Sequence, residues 1–579
     1  MRGKREDFMS KFVDNGPMLN AYPDSCGGTL GDIVTMLEKD EFKDTFSSFY
    51  ILPSIYNTDL DRGFSVIDYG INKELGSKED LDRLRALGID LKLDFILNHA
   101  SVLSPQFQDL LKNGEKSKYA DFFINWNKFW EGCGEMTEEG YIQPDQKYIK
   151  DMFFRKPGLP ILMVRMPDGK EIPYWNTFYQ EVQYRRPDAQ DIISAVEDYK
   201  EKNGTATNSD EQGGGRMQYM TAERIAKSVC EGLDEGKKPE EIDFGKYEEY
   251  KEAVLEFLAN GRKYLGQMDL NIKSDLVWEH YENTLKTLSG YGAAIVRLDA
   301  FAYAPKEPGK KNFLNEPDTW DVLEKVKGIA DKNSLRLLPE IHDSYGAGIY
   351  EKVAGKGYMT YDFFLPGLLI YAMEQKSGEV LARWAKELMD KNIRVVNMLG
   401  CHDGIPVLDL KGFIPDEEIE KLIETIVGRG GLVKNLHGQK NMYYQVNSTY
   451  YSALGADDKK MLFARAVQMF MPGKPQVWYL DLFAGENDYA AVERAGAGGH
   501  KEINRTNLTN EMMAEMMNKP VVEKQLELLR LRNTNPAFGF DSKLTLEQDG
   551  SVLKFIWEKD GNRVALKADF ATYDYEIEQ

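Results

Sequence analysis

The sequence predicts an α/β fold: a (β/α)8 TIM barrel with inserted loop domains and a small C-terminal antiparallel β domain. Three observations predict it. Short β-rich runs alternate with amphipathic helices, which argues for a parallel sheet closed at about 8 such units. Two long excursions interrupt that rhythm, and the tail switches to alternation around Asp-Gly turns. Acids stand at the ends of three of the β-rich runs, where a barrel places its chemistry. At 579 residues the chain is long enough for a barrel core with appendages. Internal repeats of 20–50 residues, the mark of a solenoid, are not visible.

In order along the chain, SSFYILP (47–53) reads as a strand. SKEDLDRLRALG (77–88) reads as a helix, with Ser77 and Asp80 spaced as a capping box, Leu81, Leu84 and Leu87 as its apolar face, and Gly88 as its end. LKLDFILNH (91–99) is the next strand. The rhythm recurs at AAIVRLDA, a helix near 318–331, LRLLPEIH, a helix around 379–391, RVVNMLGCHD and PQVWYL (475–480). Residues 1–99 are therefore read as the first part of the barrel, 271–403 as strands 4 to 7, and 461–530 as its last part.

Residues 100–270 hold too much chain for one barrel helix and are read as an inserted domain. Within it, 184–266 is polar and carries GTATNSDEQGGG (204–215), expected as a mobile loop. The same stretch carries the helix YEEYKEAVLEFLANG, with a stripe of Tyr247, Tyr250, Val254 and Leu258. Residues 404–460 form a second inserted subdomain, rich in Gly, Asn and Tyr. From 531 to 579, KLTLEQDGSVLKFIW and NRVALKADF read as antiparallel strands around turns at Asp549-Gly550 and Asp560-Gly561.

A hydrophobic content of 42% and a charged content of 29% describe a soluble globular protein. The net charge of −21 argues against nucleic acid or an anionic membrane as partner, because both reward a basic surface. The N-terminal MRGKREDFMSKF lacks a secretory apolar run, and no apolar stretch is long enough to span a bilayer. Cys26, Cys133, Cys230 and Cys401 are far apart, without metal or redox spacing. They are expected as reduced thiols, and the protein as cytoplasmic.

IVRLDAFAY (295–303) places Arg297 and Asp299 on one face of an otherwise apolar strand. An unpaired charge there would cost several kcal/mol, comparable to a domain's whole stability margin. Asp299, Glu340 and Asp403 all follow β-rich runs, spaced by about one and about two strand–helix units, so they converge on one rim. Singly, each acid is best read as a cap or a satisfied loop residue. Together they are the arrangement glycosidic cleavage needs: one carboxylate to attack carbon or activate water, one to protonate the leaving oxygen, and a third to stabilise developing charge.

DFILNH (94–99), VRLDAFAY (296–303), PEIH (339–342) and LGCHD (399–403) resemble, in order and spacing, the four motif regions of the α-amylase superfamily, glycoside hydrolase family 13. DRGFSVIDY (61–69), KPGLP (156–160), DLKGFIPDEEIEKLI (409–423), YQVNSTYYSALG (444–455), AVQMFMPGKPQVWYL (466–480), AGENDYAAVE (484–493) and EINR (502–505) resemble its sucrose phosphorylase branch. The resemblance covers nearly the whole chain except 184–266. It makes 100–270 a B-type domain and implies a retaining α-glucoside phosphorylase, with sucrose as first donor. Sucrose 6′-phosphate, glucosylglycerol and glucosylglycerate are relatives' donors, and a hydrolase or transglucosylase with the same triad is the competing enzyme reading. A silent scaffold ranks last, because all three acids are present.

By that resemblance Asp299 is the nucleophile, Glu340 the acid/base and Asp403 the transition-state stabiliser. Arg297 keeps Asp299 ionised and aimed. His99 and His402 match positions that bond glucose hydroxyls, Asp61 and Arg505 the pair closing the pocket bottom, and Phe64, Phe178 and Tyr303 its aromatic walls. His342 matches an acceptor-side position, with Lys156, Tyr444 and Gln445 as further phosphate candidates. Two departures touch that half: Lys156 stands where an arginine is expected before PGLP, and Met442 and Tyr443 replace an acid and a leucine. No metal or organic cofactor is implied, since phosphate is a substrate; the implied partners are a small glucoside and phosphate, with a homodimer as the family's habit. The 184–266 insertion is open among lid, dimer surface and inert decoration.

Overall fold

The computed structural model describes residues 15–152, 154–155, 158–184, 187–203, 214–435, 443–496 and 499–579. The chain divides into two compact units, one spanning 1–100, 146–155 and 270–579, the other 101–145 and 156–269.

The first unit is built on eight parallel strands, labelled β1 (Met18–Ala21), β2 (Ser48–Ile51), β3 (Asp90–Ile96), β4 (Ala293–Asp299), β5 (Arg336–Pro339), β6 (Thr360–Asp362), β7 (Val395–Met398) and β8 (Lys474–Trp478). Their hydrogen-bonded order, β5-β4-β3-β2-β1-β8-β7-β6, is that of a nearly closed barrel with its seam between β5 and β6. Being covered on both faces, these strands are buried almost throughout, which is why β4 is a continuous apolar run apart from its charges. Two barrel strands escape the sequence reading. MLNA and TYD are 4 and 3 residues long, carry buried polar Asn20 and Asp362, and have no β-branched run to mark them.

The helix expected at 77–88 runs over Lys78–Ala86 with the Ser77–Asp80 capping box formed on both sides. Leu81 and Leu84 are buried, but Leu87 is 42% exposed. Six residues beyond Leu81 is well off one helical face, and Leu87 is already the cap. Helices also form at Asp318–Lys332 and Glu379–Asp390. The 404–460 excursion holds a helix, Asp416–Gly428, and an antiparallel sheet in which Tyr443–Asn447 pairs with Ile405–Pro406 and Leu432–Asn435.

The tail forms four antiparallel strands, β9 (Lys543–Asp549), β10 (Val552–Lys559), β11 (Asn562–Asp569) and β12 (Asp574–Glu578). At the β10–β11 turn Asp560 and Gly561 have φ of 48° and 82°, the paired left-handed geometry that a two-residue hairpin requires. The sequence reading stops short of β12.

In the second unit, antiparallel pairs join Ile161–Arg165 to Glu171–Trp175 and Gln180–Tyr184 to Arg262–Asp269. The 184–266 stretch folds around three helices, Ala189–Lys202, Gly214–Asp234 and Lys251–Asn260. They bury a core of their own that includes Ile192, Val196, Ile225, Val229, Val254 and Leu258. Tyr247 and Tyr250 flank that core from a 3-10 segment with a kink at Tyr247, so the expected single helix begins only at Lys251. Of the expected loop at 204–215, residues 204–213 lie outside the described residues, and Gly214 opens a helix. The four cysteines are unpaired thiols. Among the described residues no helix is long and apolar enough to cross a membrane.

Candidate active site

Strand register builds the centre of the site. β3 and β4 pair in parallel with Arg297 opposite Asp94, and β4 pairs with β5 so that Leu298 faces Pro339, one residue before Glu340. Arg297, 3% exposed, therefore has carboxylates on three sides. Its Nη1 lies 2.6 Å from Asp94 Oδ1 and 3.0 Å from Asp299 Oδ1, and its Nη2 lies 3.2 Å from Glu340 Oε1. One planar guanidinium thus spans both acids assigned to the bond-breaking step, a geometry that lysine's point charge cannot reproduce. Ala300, directly after Asp299, has φ of 52°, a left-handed backbone that costs a non-glycine residue energy and turns the chain sharply at the strand end.

Burial pushes the Asp299 carboxyl up, against the Arg297 charge and with the help of Glu340 and Asp94, to about 7. Burial opposes the Glu340 charge too, but Arg297 and His342 outweigh it and hold Glu340 at about 2. Between those values the unliganded dyad carries one proton, and it rests on Asp299, the reverse of the expectation that Arg297 keeps Asp299 ionised: burial there outweighs the guanidinium charge. Chemistry that needs one ionised and one protonated carboxyl runs only within that window. The expected kcat/KM profile for donor cleavage is therefore bell-shaped, falling above about pH 7 as the last dyad proton leaves. A steady-state pH series checks this; a plateau to pH 9 would contradict it.

Asp403 stands opposite, after β7. His402 Nε2 is 3.5 Å from its Oδ2, Lys501 Nζ 2.5 Å from its Oδ1, and Arg505 Nη2 3.9 Å from that same oxygen. Burial pulls His402 down to about 3, so the ring is neutral there, stacked 5.2 Å from Phe64. His99 Nε2 lies 3.1 Å from the Phe64 carbonyl oxygen, joining both histidines to one wall. Arg505 also donates to the His402 carbonyl at 2.8 Å and pairs with Glu502 at 3.2 Å. Asp61 adds its charge to that group without being a direct partner: burial disfavours the Arg505 cation, but Tyr22, Asp403, Asp61 and Glu502 raise its pKa. Asp61, Arg62 and Gly63 have φ of 50°, 48° and 115°, and a Cβ at Gly63 would come within 2.2 Å of the Ser54 nitrogen. The DRG turn is thus strained and fits only glycine at its third position.

His342, expected on the acceptor side, is stacked 3.7 Å from Phe363, with Nε2 3.5 Å from Glu340 Oε1 and Nδ1 3.4 Å from Asp409 Oδ2. Tyr303 is 8% exposed, and its hydroxyl accepts from Arg155 Nη1 at 3.1 Å. Gln445 is buried in the strand paired with Pro406, which lines the same cavity as Glu340, His342, Phe363 and Asp403. Tyr444 belongs to that strand, but its side chain falls outside the described residues, as does Lys156. Phe178 is half-buried in the second unit.

Four residues at this site escape the sequence reading of roles. Asp94 opens a quoted motif, and an acid inside an apolar strand was the available signal. Arg155 stands next to Lys156 and is the cation that meets Tyr303. Lys501 precedes EINR and Asp409 opens DLKGF; only the folded chain brings them to Asp403 and His342.

The α-amylase catalytic-domain model matches residues 20–224. The chain is 46% identical over 578 residues to a sucrose 6(F)-phosphate phosphorylase of Ilumatobacter coccineus, covering 98% of this chain and 96% of that protein. It is 30% identical to a sucrose phosphorylase of Streptococcus mutans, covering 97% and 96%. Among solved structures it is similar to sucrose 6F-phosphate phosphorylase from Thermoanaerobacter thermosaccharolyticum, with a TM-score of 0.76, 32% identity, and coverage of 97% and 95%.

Proposed function

The chain belongs to the glycoside phosphorylases of the α-amylase superfamily, enzymes that transfer glucosyl groups, and from that premise we propose that it carries a glucosyl unit from sucrose 6(F)-phosphate to inorganic phosphate through a covalent β-glucosyl–enzyme. Asp299 attacks the anomeric carbon while the bond to the fructosyl oxygen breaks and Glu340 gives that oxygen its proton. An oxygen of hydrogen phosphate then attacks the same carbon, its proton passes to Glu340, and the bonding pair returns to the Asp299 carboxylate. Two inversions leave α-D-glucose 1-phosphate. Asp403 stabilises the positive charge that develops on the ring, and a donor seated against Glu340 draws the dyad's proton to that side.

The observation that carries the reading is Arg297 reaching both Asp299 and Glu340, at 3.0 and 3.2 Å. For the donor, the 46% identity over nearly the whole chain supports the phosphorylated form over sucrose. Arg155, held at Tyr303 four residues past Asp299, is a planar donor of the kind a phosphate ester selects. A cytoplasmic location follows from a charged sugar phosphate as donor. The chemistry asks for no metal or organic cofactor, with phosphate entering as substrate.

The test supplies α-D-glucose 1-phosphate with fructose 6-phosphate, fructose, glycerol or glycerate and follows phosphate release. Fructose 6-phosphate is expected to exceed fructose by at least about 10-fold in kcat/KM, since a site built around a charged group rejects the analogue that lacks it. A preference for fructose, glycerol or glycerate would reassign the donor. Glucose released from donor at a rate indifferent to phosphate would overturn the phosphorylase reading.

A further inference from the structure

Both ring nitrogens of His342 face carboxylate oxygens, Glu340 at 3.5 Å and Asp409 at 3.4 Å. A neutral imidazole would turn a lone pair towards one of those anions; only the imidazolium has an N–H for each. The ring has little freedom to turn away, being 11% exposed and stacked on Phe363, which is itself stacked on Tyr361. Asp409 is 2% exposed in the Leu408–Leu410 turn, and among the described residues no lysine or arginine pairs with it. A buried carboxylate so placed needs a cation, and among the described residues His342 is the one that pairs with it.

We propose that Asp409 is a positioning residue that keeps His342 protonated beside Glu340, and that this fixed cation is what lets phosphate rather than water take the glucosyl group. The inference rests on the phosphorylase reading above. After the first displacement Glu340 has given up its proton, so an incoming phosphate meets a carboxylate of its own sign. Two like charges at contact distance repel strongly at the effective dielectric of a protein site. Water feels no such penalty. An imidazolium between Glu340 and the phosphate removes the barrier selectively, and its proton stays where it is throughout. Burial works against the charge, but Asp409 and Glu340 outweigh it and push His342 up to about 10. Asp343, beside Asp409, adds a further negative charge, and Arg297 lies beyond Glu340.

The experiment measures glucose 1-phosphate against glucose formed from one donor at fixed phosphate, across pH, for the parent and Asp409→Asn. Both products come from one glucosyl–enzyme, so loss of folded protein cancels in their ratio. At pH 9 to 10 the ratio is expected to be about 10- to 50-fold lower in the variant than in the parent. Its alkaline decline, near pH 10 in the parent, should move down by about two units, towards an unassisted histidine. A ratio within about twofold of the parent, with an unmoved decline, overturns the proposal. If the parent makes no glucose 1-phosphate at all, the phosphorylase reading fails instead. The charge on His342 is then read by NMR titration, assigned by difference from His342→Gln. An imidazolium that titrates near pH 10 in the parent and about two units lower in Asp409→Asn supports the pairing; titration near the ordinary histidine value in both refutes it.

Discussion

Replacing Asp299 by asparagine is expected to lower kcat/KM for glucosyl transfer by at least about 10,000-fold, roughly 5.5 kcal/mol of transition-state stabilisation. An amide cannot attack the anomeric carbon to form the ester, and its neutral oxygen gives the oxocarbenium-like charge no opposite charge. It is nearly isosteric, so Arg297 keeps Asp94 and Glu340, at 2.6 and 3.2 Å, and the fold should survive. Glu340→Gln provides the contrast. Without an acid, a sugar alkoxide leaves badly, but fluoride needs no proton, so α-glucosyl fluoride should still be cleaved by Glu340→Gln and not by Asp299→Asn. The measurement is a steady-state comparison of both donors for both variants, with melting curves to confirm folding. Full activity of Asp299→Asn would remove the nucleophile assignment, and equal losses on the fluoride would remove the division of roles.

How far such a site can be read from sequence depends on which distances the chain itself encodes. Asp299, Glu340 and Asp403 are legible because a barrel converts position at a strand end into position on a rim, whatever the intervening loops do. Arg297 is legible because alternation puts it on the face of Asp299. Asp94 becomes its partner only through the β3–β4 register, which no local pattern states. Lys501 lies in the Gly499–Asn504 turn after β8 and Asp409 in the 404–460 excursion, both set by tertiary packing, so their contacts with Asp403 and His342 have no sequence signature. The same holds for β1 and β6: MLNA and TYD lack the apolar or β-branched run that marks the comparably short SFYI, RLLP and VVNM, and only pairing with their neighbours defines them. The helical core at 184–266 was legible in part, since Val254 and Leu258 sit at helical spacing, while its partners Ile192 and Ile225 come from separate helices.

Arg297→Met is expected to be costly twice over, in activity and in stability. The parent side chain is 3% exposed and neutralises Asp94, Asp299 and Glu340, of which Asp94 is wholly buried. Removing the cation from a buried ion group leaves uncompensated charge and typically costs about 3–5 kcal/mol. Lost alignment of both acids should take kcat/KM down by about 1,000-fold or more. The pH dependence gives the sign. Glu340, depressed to about 2 in the parent, contributes stability above the ordinary carboxylate range and loses it as pH falls through about 2. In the variant all three carboxyls rise, so above their new values the folded state must either hold bare charge or take up protons. The stability gap to the parent should therefore be widest at pH 8 and shrink at pH 5, as the carboxyls protonate without a partner. Urea unfolding of both proteins at the two pH values checks this, with a pH-independent gap as the contrary result. Arg297→Lys separates the two costs. Its ammonium restores charge and part of the stability, but a point charge cannot hold Asp299 and Glu340 on one plane, so activity should stay low. Recovery of both together would mean that charge alone, not the fork of the guanidinium, organises the dyad.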